Sequence, residues 1–188
     1  MVEAAAAVVA ERGFESTSIR EICARAGVSS GAFYARFARK EDLALPLFES
    51  LRGEFEAIVD ASLERRRVAG FAESIRVLLG GAVALYRRNA GLLRALTAQA
   101  RTSRDLAAAM RELNETLFAR LLEPPFVAEI RHPKPEIALR LGLLCVLNAT
   151  KEIVLDQQLF RESYPFRDEE LVAELTSLLS RYVSPTDA

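Results

Sequence analysis

Residues Thr17 to Leu43 read TSIREICARAGVSSGAFYARFARKEDL, and the reading of this stretch decides the fold. Its punctuation is that of two short helices joined by a tight turn. Thr17 can cap the first helix by accepting a hydrogen bond from a free backbone N–H of the opening turn. Glu21 adds electrostatic compensation near that end, although its spacing from Thr17 is not that of a capping box. Ile19, Ile22, Cys23 and Ala26 fall at helical spacing and make one apolar side. Gly27 stands where the helix would end and supplies the positive φ of a C-terminal cap. Val28 is then expected in the core, and Ser29 as cap of the next helix. Phe33 and Phe37, four apart, point inward. Ser30, Gly31, Ala32, Tyr34 and Arg36 are left to look outward, and such small residues let a helix sink close to base edges. From Thr17 to Lys40, five cations (Arg20, Arg25, Arg36, Arg39, Lys40) oppose only Glu21, a local charge of +4. The pattern is that of a helix-turn-helix DNA reader.

The same residues carry a family resemblance. Gly13–Phe14 followed by Thr17, then Ala24 to Ser29 (ARAGVS), Phe33 to Phe37 (FYARF) and Lys40 to Leu43 (KEDL) resemble the DNA-binding domain of TetR-family transcriptional regulators. The resemblance covers about the first quarter of the chain. It implies that the second helix of the motif lies in the major groove and that Tyr34 and Lys40 hold phosphates. Thr17 and Ser18 would approach the DNA backbone, as helix N-termini favour phosphate. Arg20 and Arg36 can reach a guanine edge bidentately, or settle on phosphate or in solvent. For Tyr34 the alternative is a ring packed against Phe37. Three departures from the family pattern stand out. Ser30 and Ala35 replace larger residues, so base readout leans on Arg20, Arg36 and DNA shape. Ala38–Arg39 replaces the usual proline and capping residue before Lys40. Met1 falls inside the first helix without a basic lead-in, so either the start is truncated or the arm is missing.

Outside the motif the chain reads as helices throughout, all-α, about nine in total. Helices are expected over Val2–Arg12, from Lys40 to about Arg66, over Phe71–Arg88, from Ala90 to about Ala100, and along the stripe Leu106, Met110, Leu113, Leu117, Leu121. Glu123 to Pro135 holds four prolines and reads as a loop. Two last helices run from Pro135 to about Phe160 and from Asp168 to Val183, separated by Tyr164–Pro165. The expected division is a three-helix DNA-binding domain over 1–45, then a larger helical ligand-binding and dimerisation domain over 46–188. Pro46 lies early in the connecting helix, where an interior proline costs roughly 3 kcal/mol unless the helix kinks; a pivot there is the expectation.

The helix after Pro135 leaves almost no polar face, so it must be covered on both sides. Its Leu143, Val146 and Leu147 are expected to dimerise with Leu171, Leu175, Leu178, Leu179 and Tyr182 of the last helix. A homodimer also suits paired readers on a palindromic double-stranded operator. The resemblance implies a small-molecule effector inside the larger domain. Candidate walls are Phe55, Ile58, Tyr86, Leu96 and Gln99, with Met110, Phe118, Leu144 and Asn148. The apolar lining points to a lipophilic, largely uncharged ligand. Asn148 stands out because an amide in so apolar a helix needs a partner, supplied by a ligand, a backbone carbonyl or its symmetry mate.

Composition bounds the rest. The chain has 188 residues and a net charge of −1, which excludes a polybasic nucleic-acid coat. No secretory leader or membrane-length apolar run is present, so a cytoplasmic protein with no membrane partner is expected. Cys23 and Cys145 read as free buried thiols. One histidine, His132, in a solvated loop, and no glycine-rich phosphate loop or nucleophile elbow argue against an enzyme, a metal or a cofactor. The function expected is a DNA-binding repressor released by a lipophilic ligand. The alternative is a helical ligand-binding or protein-interaction dimer with weak or lost DNA binding.

Overall fold

The structure, a computed structural model, describes residues 1–123, 127, 129–155 and 167–184. Nine α-helices and no strand occur among them, in the order α1 Val2–Arg12, α2 Ile19–Ala26, α3 Ser30–Tyr34, α4 Ala44–Ala69, α5 Phe71–Arg88, α6 Ala90–Gln99, α7 Arg104–Leu121, α8 Pro135–Leu155 and α9 Asp168–Val183. The all-helical reading therefore holds. The expected continuation of α8 to Phe160, the Tyr164–Pro165 break and Pro124–Pro125 lie outside the described residues. A 3₁₀ turn over Lys40–Leu43 precedes α4. Pro46 accordingly sits in the first turn of α4, where its missing N–H interrupts no interior hydrogen bond. That removes the reason for expecting a kink there.

The chain divides into two compact units, Met1–Gly53 with Asn89–Asn114, and Glu54–Arg88 with Glu115–Ala188. In the first, α1 packs on α2 and α6. Gly91 is what lets α6 approach: a Cβ there would stand 2.0 Å from the Ala10 carbonyl oxygen. At the other end of α6, Gln99 donates to the Glu15 carboxylate at 2.9 Å. Leu96 and Leu106 are fully buried here.

In the second unit α5, α8 and α9 pack on one another around Ile75, Leu79, Val83, Leu139 and Leu179. Arg87 of α5 pairs with Asp168 at the start of α9, Nη2 to Oδ1 2.7 Å. Ser62 and Ser74 exchange hydrogen bonds in the interior, so their buried hydroxyls are satisfied. Gly142 brings α8 against α9, since a Cβ there would lie 2.3 Å from Leu179 Cδ1.

The residues expected to dimerise divide between the core and the surface. Leu143, Val146, Leu171 and Leu179 are buried in their own unit, and Leu147 and Leu175 are half-buried. The apolar side chains turned to solvent are Ile137, Leu141 and Leu144 of α8 with Leu178 and Tyr182 of α9, 38% to 63% exposed. Cys145, expected buried, also lies exposed on this side, while Cys23 is buried. The helices expected to dimerise do present an unpartnered face. On α9 it includes Leu178 and Tyr182, as expected; on α8 it is turned from Leu143 and Val146 to Ile137, Leu141 and Leu144, because a helix apolar all round offers no contrast to orient it.

Candidate functional site

The helix-turn-helix is built by a sequence of caps. Ser18, not Thr17, opens α2: its Oγ accepts from the Glu21 N–H at 3.2 Å, and the Glu21 carboxylate accepts from the Ser18 N–H at 2.9 Å. This is a reciprocal capping box, which the sequence reading did not expect, and its capping residue lies one position after Thr17. Thr17 is instead buried, and its hydroxyl donates to the Gly13 carbonyl at 2.8 Å. It shapes the turn between α1 and α2 from within. Gly27 takes φ 66° and ψ 31° and ends α2, its N–H returning to Ala24. Ser29 then opens α3, accepting from the Ala32 N–H at 3.2 Å. Val28 does not plug the core as expected, being 37% exposed. Phe33 does, fully buried, with the Phe37 ring 5.4 Å away.

Anchoring by Phe33 decides what α3 presents. Ser29, Ser30, Gly31, Ala32, Tyr34, Ala35 and Arg36 are all exposed. Tyr34 is 58% exposed and touches Phe33 edge-on, so its ring stands out while its base is fixed. A Cβ added at Gly31 would meet nothing closer than Ser29 Oγ at 3.6 Å. The surface is low, and its reach comes from Tyr34 and Arg36.

The local charge is reorganised by the fold. Arg25 is held by Glu11 at 2.7 Å, Arg12 by Glu21, and Arg39 by Asp42 at 3.1 Å. Asp42 also accepts the Arg39 N–H, closing the 3₁₀ turn in the one direction an arginine cap allows. Lys40, expected at phosphate, donates to the carbonyls of Phe14, Glu15 and Thr17 at 2.9 to 3.1 Å and lies over the Phe14 ring. Its three protons tie down the turn before α2. Among the described residues Arg20 and Arg36 have no carboxylate partner, so theirs are the guanidinium groups of the helix-turn-helix that stay available. Glu21 and Asp42 titrate below the ordinary carboxylate range, Glu21 through the Ser18 backbone N–H first and Asp42 through the Arg39 side chain first.

The expected ligand walls are divided between the two units. Leu96, Gln99 and Met110 belong to the first unit, where Gln99 is bonded to Glu15. Phe55, Ile58, Tyr86 and Phe118 are partly buried in the second. Ile58 fills the space over Gly81, where a Cβ would stand 2.9 Å from it, so it is packing. Burial pushes the Tyr86 phenol up to about 12. Leu144 and Asn148 are exposed, and the Asn148 amide donates to the Leu144 carbonyl at 2.8 Å, so its partner is the backbone. The side chain that sequence reasoning missed is Arg66, 6% exposed near the end of α4; three consecutive arginines at 65–67 hid which one turned inward. His132 accepts from the Lys134 N–H and lies 5.6 Å from the Tyr182 ring. No group of three potential metal ligands occurs among the described residues, and none of their helices is long and apolar enough to cross a membrane.

Comparison with known proteins agrees with this geometry. Residues 1–47 match the family model described as bacterial regulatory proteins, tetR family. The chain is 30% identical over 69 residues to the fatty acid metabolism regulator protein of Bacillus subtilis, covering 37% of this chain and 36% of that one. It is 45% identical over 53 residues to the HTH-type transcriptional repressor KstR2 of Mycobacterium tuberculosis, 28% of this chain and 25% of that one. The matches thus span between a quarter and about a third of these relatives. Over nearly the whole length, the fold is that of the transcriptional regulator FadR from Bacillus subtilis in complex with stearoyl-CoA, with TM-score 0.67, 22% identity and coverage of 99% of this chain and 97% of that one. The helix-turn-helix thus matches the tetR family model over residues 1–47, and the fold over nearly the whole chain is like that of a transcriptional regulator.

Proposed function

We propose that the chain is a homodimeric transcriptional repressor that sets α3 into the major groove of a palindromic operator and releases it when a lipophilic ligand binds. The reading is carried by the outward face of α3, where Tyr34 and Arg36 project from a floor of small residues beside an uncompensated Arg20. Arg20 and Arg36 supply base or phosphate contacts, Tyr34 a phosphate contact, and the α2 and α3 N-termini at Ser18 and Ser29 add backbone N–H groups. Thr17 and Lys40 act one layer back by holding the turn that presents them. In this reading DNA recognition lies within 1–45 and ligand binding and dimerisation within 46–188.

Dimerisation is supported by the exposed Ile137, Leu141, Leu144 and Leu178, an apolar patch of the kind soluble monomers rarely leave uncovered. A second copy on that face would pair two readers for half-sites about 34 Å apart. The lipophilic effector is supported by the two Bacillus subtilis similarities, a fatty acid metabolism regulator and a regulator holding stearoyl-CoA.

Selection of bound sequences from random DNA tests the reading, followed by gel shift of the enriched site. A palindromic consensus bound by a species of twice the chain mass is expected, with Tyr34→Ala and Arg36→Ala weakening it. The balance of charge in the head, with Arg12, Arg25 and Arg39 paired internally, favours one other reading: a ligand-binding interaction dimer. A folded dimer that enriches no DNA sequence would establish that reading instead.

A further inference from the structure

Arg66 is a charged side chain in an apolar interior, and its surroundings have the layout of a site. Its guanidinium lies 4.6 Å from the Phe71 ring centroid, and Nη2 stands 3.3 Å from Glu129 Oε2. The Arg66 side chain is 4% exposed, whereas that of Glu129 is 54% exposed. On the inner side, Arg66 and Phe71 border a void of about 10 Å³ walled by Leu63, Ile75, Leu139 and Leu143. On the outer side, Phe71 lines an open groove of about 600 Å³ with Ala72, Ser180, Arg181 and Ser184. One aromatic ring therefore belongs to both the groove and the buried charge. Ser180 Oγ is buried beside the groove with no hydrogen-bond partner among the described residues.

A guanidinium out of water depends on the groups that answer its charge. Burial draws the Arg66 pKa down, and Glu129 draws it back up. Glu129 is a carboxylate reaching the guanidinium from solvent, and an ion pair with one partner in water is readily exchanged. A second carboxylate carrying an apolar tail would repeat that contact and add burial of its tail.

We propose that Arg66 receives the carboxylate head of an amphiphilic effector, which enters from the α5–α9 groove past Phe71 and displaces Glu129. The tail lodges among Leu63, Ile75, Leu139 and Leu143. This rests on the reading of the chain as a ligand-released regulator, and it gives the ligand an anionic head where the apolar walls alone pointed to an uncharged one. The inner void is one water wide, so the tail must part these side chains. Binding is thereby coupled to rearrangement of the core between α4, α5 and α8.

Calorimetric titration of the full chain with decanoate and with decanol tests the assignment. Decanoate is expected to bind roughly tenfold more tightly than decanol. Glu129→Gln removes the internal competitor, so decanoate should tighten by about threefold or more while decanol stays unchanged. Arg66→Met should erase the preference, with circular dichroism reporting that the helices persist. Equal affinity for the two probes, or no gain in Glu129→Gln, overturns the assignment even where the Arg66 variant does not fold. Operator release by another lipophilic compound with decanoate inert would overturn this site and leave the regulator reading standing. Decanoate binding with these preferences but without operator release would keep the site and refute release.

Discussion

The outward face of α3 and the outward face of α8 are both left open by the single chain, and they differ in how each comes to be open. On α3 a buried Phe33 sits among Ser30, Gly31, Ala32 and Tyr34, so one anchor fixes which way everything else points. On α8 the exposed Ile137, Leu141 and Leu144 alternate with the equally apolar, buried Ala138, Leu139 and Leu143. Contrast along a helix makes its faces legible; uniform apolarity says only that every side is covered by something. A polar open face asks for a charged, hydrated partner, and an apolar one asks for another protein surface.

The sharpest way to break this comparison is to exchange neighbours on α8. Leu143→Ala should cost about 2–5 kcal/mol of stability in denaturant titration, as a cavity in the core does. Leu141→Ala should leave the folding of an isolated chain nearly unchanged and lower the dimer fraction seen by sedimentation. If the two variants behaved alike, the assignment of inner and outer faces would be lost. Gly142→Ala comes next, at about 1–3 kcal/mol, because the added methyl must displace Leu179 Cδ1 in a fully buried position.

On the reader, Arg36→Ala should remove about 1–3 kcal/mol of operator discrimination where it reads a base. Lys40→Met offers the more telling contrast. With its ammonium on three carbonyls, its loss should lower thermal stability while the salt dependence of DNA binding keeps its slope. A slope reduced by about one would instead place Lys40 on phosphate.

The smallest effect concerns the cap of α2. Ser18→Ala should cost about 1 kcal/mol, against little for Thr17→Ser, which keeps the hydroxyl bonded to Gly13. Glu21 supplies the pH signature. Its folded pKa lies below the unfolded value through the Ser18 N–H, the Ser18 hydroxyl and Arg12, so its contribution is present above the ordinary carboxylate pKa. It is lost as pH falls through the folded value. Glu21→Gln should therefore trail the parent chain at neutral pH and match it in acid, as followed by thermal melts across pH.

Much of this was readable beforehand where local chemistry leaves few choices. Gly27 ends α2 and Ser29 opens α3 as read, and Phe33 anchors the motif. The capping residue was displaced by one, from Thr17 to Ser18, because either hydroxyl can cap and only burial of Thr17 decides between them. The charge of the motif misled in a similar way. Its cations outnumber its acids within the window, yet Glu11 and Asp42 reach in from outside it. Gln99 and Tyr86 were less readable, since they look alike as polar handles until the fold bonds one to Glu15 and packs the other against apolar side chains.

By itself the sequence determined an all-helical chain with a helix-turn-helix at its start, because capping, glycine punctuation and apolar period act within a few residues of one another. Only the tertiary structure decided which arginines remain free, which side of α8 meets solvent, and that Arg66 turns inward. Those outcomes depend on groups distant in the chain, such as Glu11 on Arg25 and Glu129 on Arg66, whose encounter no local pattern encodes.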